Sequence, residues 1–134
     1  MKYLFLTVLF LGLSCNSTKP TSKSVTDLGS EFKVMQIEKS DVKLTKNPTM
    51  ILDFDKNVIS GNAGCNHYSG GFVVKGNKIK IDNVVGTKMY CQNMKIEKEF
   101  FKNLATISSF NVKDNQFLLF NDANELVMTC DVAK

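Results

Sequence analysis

The chain has no arginine; all seventeen of its basic residues are lysine. Bidentate recognition of phosphate or guanine favours the guanidinium fork, so this absence argues against a nucleic-acid partner. The lysines are also scattered among acids, as in "KIEKEFFK" and "FDKN", which reads as solvated faces. Histidine is limited to His67. Paired C-x-x-C spacing is absent, so no strong metal signature is present. The glycine-rich stretch "ISGNAGCNHYSGGF" (59–72) runs into the strand-like "FVV", not into a helix opening with Gly-Lys-Ser/Thr, and a phosphate-cradling loop is excluded. The one long apolar run, "YLFLTVLFLGL", is too short to span a bilayer as a stable helix.

That run follows Met1 and Lys2 and ends at Ser14-Cys15, after which the chain turns polar. It reads as an export signal over residues 1–14. A small residue followed by cysteine at this place resembles a bacterial lipobox, with Gly12 where leucine is usual and Leu11 one place earlier. The resemblance implies cleavage before Cys15 and acylation of it. Each buried methylene contributes ~0.8 kcal/mol, so several acyl chains would anchor the protein durably. Removing the signal leaves 134 − 14 = 120 residues, enough for one domain, and the loss of Lys2 lowers the net charge from +4 to +3.

Residues 15–27 then form a lipidated cysteine and a flexible Ser/Thr/Lys-rich tether, "NSTKPTSKSVTD", and the domain occupies 28–134. Outside the cytoplasm, Cys65, Cys91 and Cys130 should give one oxidised pair and one leftover thiol, and spacing alone does not choose among the three pairings.

The domain reads mostly as short strands. In "EFKVMQIE", Phe32, Val34 and Gln36 alternate against Lys33, Met35 and Ile37, with no clean polar face. "TMILDFD" sets Met50, Leu52 and Phe54 on one side. "NVIS", "GFVVKG" and "KIKIDNVVGTKM" follow, and Gly76-Asn77 can take the positive φ angles of a hairpin turn. From an Asn93 N-cap, a helix places Ile96, Phe100, Phe101 and Leu104 on one stripe and leaves a polar back face around Glu97 and Lys98. "SSFNVKDNQFLLFNDANELVMTC" reads as three strands with turns at Asp114-Asn115 and Asp122-Ala123-Asn124. The expectation is a mainly β (α+β) domain, an antiparallel sheet or partial barrel with one packed α-helix.

Two constellations bear on chemistry. Cys65 and His67 would share a face of an extended strand, as a thiol nucleophile and its base could, but no orienting carboxylate or oxyanion glycine motif accompanies them. His67, Met89 and Met94, with reduced cysteines, are soft ligands suited to copper(I), and this supports the alternative of a periplasmic copper- or haem-handling protein. Against that alternative, Met89 on an alternating strand and Met94 beside the helix stripe also fit as core filler.

The order of motifs closely resembles the META domain, or HslJ-like, family over roughly residues 28–130. Gly61, Gly64, Cys65, Asn66, Tyr68, Gly70 and Phe72 match its first motif; Thr87, Met89 and Cys91 its second; Glu97, Phe100 and Leu104 its third. Phe32 stands where an early tryptophan is common, and Asn124 where the final turn often has glycine. The resemblance implies a small β domain with one helix, a Cys65–Cys91 disulfide, and a leftover buried thiol at Cys130. Gly61, Gly64, Asn66, Gly70 and Thr87 become structural positions of the motif, Asn66 by satisfying backbone groups. It implies no catalytic residues and no cofactor, and associations with heat induction, antibiotic tolerance and virulence. The expectation is therefore a non-enzymatic, monomeric envelope lipoprotein, a binding or stress-protective module. Its partners would be the membrane, through the lipid, and an envelope protein or small ligand. Asn16 lacks the aspartate that signals inner-membrane retention in enterobacteria, which favours the outer membrane.

Overall fold

The computed structural model describes residues 24–133. The signal segment, Cys15 and most of the tether therefore lie outside the described residues. Eight strands, β1 (Glu31–Ile37), β2 (Thr49–Asp53), β3 (Val58–Asn62), β4 (His67–Lys75), β5 (Lys78–Gly86), β6 (Ile107–Lys113), β7 (Gln116–Asn121) and β8 (Leu126–Val132), close into one antiparallel barrel in sequence order. The strands are antiparallel and the domain mainly β, as expected, while full closure corrects the expectation of an antiparallel sheet or partial barrel. It comes from β1, whose two edges pair with β2 and β8 (Lys33↔Thr49 and Lys33↔Asp131), a relation between chain ends that no local pattern encodes.

The barrel is packed solid. Phe32, Val34, Met50, Leu52, Ile59, Phe72, Phe117, Leu119, Met128 and Cys130 are all essentially inaccessible. An eight-stranded barrel has an interior just wide enough for side chains to fill. Phe32 stacks on Phe117 at 4.8 Å between ring centroids, and Phe110 tilts onto Phe117 at 5.4 Å. The missing polar face of β1 has a local cause. A bulge between Val34 and Gln36 shifts the alternation by one, so Ile37 enters the core while Gln36 and Met35 stay exposed.

Turn chemistry sets the hairpins. Asp114 and Asn115 both take positive φ (51° and 63°), as a two-residue primed turn between β6 and β7 requires. In the β4–β5 hairpin only Gly76 does (62°), the pattern of a turn with glycine first, and Asn77 contributes no positive φ. Asn124 (58°) closes the β7–β8 turn.

The described residues hold two helices, not one. The first, α1 (Val25–Leu28), is a single turn opened by a Ser24–Asp27 capping box. It buries Val25 and Leu28, so the tether drawn through residue 27 is too long and the folded domain reaches back to Ser24. The second, α2 (Lys95–Leu104), buries Ile96, Glu97, Phe100 and Leu104 and leaves Phe101 half-buried. Its N-cap is Met94 rather than Asn93, although Asn93 Oδ1 accepts the Lys95 N–H at 3.1 Å. α2 lies in the chain between β5 and β6, the weakest seam of the barrel, where Lys78↔Ser109 is the single register pair.

Candidate functional site

Neighbouring strands alternate in direction, so β1, β3, β5 and β7 run the same way around the barrel. The chain enters at the start of β1, beside α1. The opposite end holds the β3–β4 connection, residues 63–66, and the irregular segment 87–94 that leaves β5. The glycine-cysteine-asparagine motif and the Thr-x-Met-x-Cys motif meet there.

Cys65 and Cys91 form a disulfide with Cα atoms 6.0 Å apart. Cys130 is a free, buried thiol on β8. Burial pushes that thiol's pKa up, and the Asp131 charge adds to the effect.

Asn66 is the hub of this end, 2% exposed. Its Oδ1 accepts the Thr87 hydroxyl (2.7 Å) and the Met89 N–H (2.7 Å). Its Nδ2 donates to the Met89 carbonyl (3.0 Å) and to Glu97 Oε1 (2.9 Å). All four hydrogen-bonding valences of the amide are thereby used. The Asn66 backbone N–H donates to the other Glu97 oxygen at 2.6 Å. Thr87 in turn accepts the His67 N–H (3.2 Å), and its own N–H donates to the His67 carbonyl (3.0 Å). These bonds turn the chain out of β5 at Gly86, so Met89 does not continue the alternating strand.

The glycines make room for this arrangement. At Gly61 (φ 157°) a Cβ would fall on the Thr49 carbonyl oxygen. At Gly64 (φ 121°) it would press on the Ile96 side chain at 3.2 Å, so the loop lies directly on the start of α2. Gly70 sits on β4 opposite the irregular stretch of β5, where the register shifts between Ser69 and Gly71. Tyr68, buried beneath the loop, donates its hydroxyl to the Thr49 carbonyl at 3.0 Å and meets Phe100 at 5.2 Å. Burial raises its phenol pKa, with a smaller contribution from Cys130.

The sequence-level ligand set is not brought together as one site. His67 is exposed, Met89 is 53% exposed rather than core filler, and the Met94 sulfur accepts the Cys91 N–H at 3.4 Å. With both motif cysteines in a disulfide, the copper- or haem-handling alternative lacks its thiolates, and Cys65 is not available as a nucleophile. Among the described residues no group of three His, Cys, Asp or Glu side chains could hold a metal ion. The helical pattern puts Glu97 on a polar back face, although it also matches the third motif; the structure buries it, 8% exposed, as the acceptor for Asn66. Its signal was available: Glu97, Phe101 and Leu104 also follow a helical spacing, next to the apolar stripe.

The fold is thus a filled antiparallel barrel with one end stapled by a disulfide. The chain belongs to the META domain family, whose model matches residues 24–133. It is similar in fold to a solved NMR structure of a protein from Burkholderia xenovorans, with a TM-score of 0.65 and 18% identity, covering 94% of this chain and 99% of that one. A second NMR structure of a protein aligns with a TM-score of 0.59 and 19% identity, covering 77% of this chain and 88% of the other. No curated protein sequence matches the chain.

Proposed function

We propose that this is a bacterial envelope protein held to a membrane, the outer one by preference, through lipid on Cys15, with its META barrel acting as a binding or stress-protective module and not as an enzyme. The observation that carries the reading is the Cys65–Cys91 disulfide built into the barrel end. Such a bond fits an oxidising compartment, where an export signal ending at Ser14-Cys15 would deliver the chain. The polar groups of the motif are spent on bracing loops, which suits a scaffold better than a reaction centre. The anchor also suits the geometry. The tether enters beside α1, so the stapled end and its exposed Tyr90 would point away from the lipid.

Fractionation of cells producing the full chain tests the anchor. The protein is expected in the membrane fraction and, as Cys15→Ala, in the soluble fraction. An unchanged distribution would remove the anchoring claim.

A further inference from the structure

The two residues between Lys75 and Lys78 form the β4–β5 turn, so Lys75 and Lys78 are a hydrogen-bonded pair. Antiparallel pairs alternate, which makes Val73↔Lys80 hydrogen-bonded and Phe72↔Ile81 not. Ile81 therefore directs both its N–H and its C=O away from β4, toward the edge that β6 would cover. β6 has no residue in register there, because its pairing with β5 ends at Lys78↔Ser109.

Beside this open edge lies a groove of about 550 Å³ whose walls include Ile81, Val84 and Val85 of β5 and Phe101 and Leu104 of α2. Val85 is 69% exposed, and Tyr90, just beyond at the same end, is 90% exposed. A second hollow along β5 shares Ala105 with the groove and is lined by Lys75, Lys78 and Lys80, with Asp122 as its acidic residue. Lys75 and Lys78 make no ion pair among the described residues, and Lys80 reaches Asp82 only at 3.8 Å. The groove's rim also carries Asp82 and Lys88, so the path along the open edge is mainly apolar at the groove and basic at the hollow.

We propose that this edge receives an extended peptide segment of another envelope protein by strand addition, apolar where it pairs with Ile81 beside the groove and acidic where it leaves the edge past Lys80, since β6 occupies the edge from Lys78 onward. The proposal deepens the binding-module reading and rests on it. Main-chain bonds to Ile81 supply register, and alternate side chains of the added strand enter the groove against Phe101 and Leu104. The lysine hollow selects the charge of the flank. Asn83, two residues beyond Ile81 and at φ 51° in the irregular stretch of β5, interrupts the edge. That keeps the pairing short and stops copies of the barrel from adding to one another.

The test is nitrogen–proton correlation NMR of the purified chain, titrated with a capped peptide of alternating valine and threonine ending in aspartates. A lysine-ended version of the peptide serves as control. Shifts centred on Ile81, Val84, Phe101 and Leu104, slowed exchange of the Ile81 amide, and about tenfold tighter binding of the aspartate-ended peptide are expected. Val85→Asp, on an exposed side chain that the fold does not need, should weaken binding about tenfold, and Lys80→Glu should abolish the charge preference. Shifts elsewhere, equal affinity for the two peptides, or occupation of the groove by decanoate and not by either peptide would each overturn the proposal. None of these outcomes alters the fractionation of Cys15→Ala, so the two readings fail separately.

Discussion

Asn66 and Glu97, 31 residues apart, hold each other through two hydrogen bonds: one carboxylate oxygen takes the Asn66 backbone N–H and the other its Nδ2. Glu97 lies in the first turn of α2, where a negative charge also suits the helix dipole. One pair thus fixes the glycine loop, the chain leaving β5 and the start of the helix.

Asn66→Ala should destabilise the domain by roughly 2–4 kcal/mol, because it leaves the Met89 N–H and carbonyl, the Thr87 hydroxyl and one Glu97 oxygen without their partner, while the backbone N–H at this position keeps the other Glu97 oxygen. Glu97→Ala should cost less than Asn66→Ala, since Asn66 keeps its Thr87 and Met89 partners. Urea melts of both variants and the double should show strong non-additivity. Additive losses would mean that the pair is not coupled.

Loss of the disulfide should cost roughly 3–4 kcal/mol in the chain-entropy model. Cys91→Ser at matched oxidising conditions, compared with the parent by denaturant midpoint, measures this. In the parent, unfolding without reductant should expose one alkylatable thiol of the domain, Cys130. Free alkylation of Cys65 and Cys91 would contradict the pairing.

Alkali should unfold the barrel through two acids kept neutral by burial. The ordinary values are 9.0 for the Cys130 thiol and 10.0 for the Tyr68 phenol, and both groups are shifted upward in the fold. Above these ordinary values the unfolded chain loses protons that the native state retains, so this contribution is intact below pH 9.0 and declines as pH rises beyond it. Tyr68→Phe should flatten the decline above pH 10.0, while losing one hydrogen bond worth about 1 kcal/mol. A thermal midpoint indifferent to pH across this range would refute the account.

Gly61→Ala and Gly76→Ala separate two roles of glycine. At Gly61 the methyl would collide with the Thr49 carbonyl, on backbone that cannot rotate away, so a loss above about 2 kcal/mol is expected. At Gly76 nothing lies within 4 Å and the strain of a positive φ alone applies, roughly 1 kcal/mol. Equal losses would show that the contact at Gly61 is relieved by movement of β2.

Much of this architecture was legible from the chain itself. Alternation set Met50 and Leu52 on one face, which proved to be the inward one, and the stripe Ile96–Phe100–Leu104 located a buried helix face, because periodicity is a local property. Motif order identified the family, and Asp114-Asn115 marked a hairpin. Where reading failed, a distant partner had intervened. β5 ends at Gly86 because Asn66 captures Met89, and Gln36 lies outside because a bulge against β8 moved Ile37 inward.

The sequence by itself determined which residues avoid water and where the chain must turn, since side-chain chemistry and local periodicity act without knowledge of the fold; the pairing of Cys65 with Cys91 followed only from the resemblance to the family. Closure of β1 onto β8, the burial of Glu97 and the open edge at Ile81 were decided only by tertiary structure. Each depends on the register of strands brought together from distant parts of the chain, and register is fixed by how the whole barrel packs.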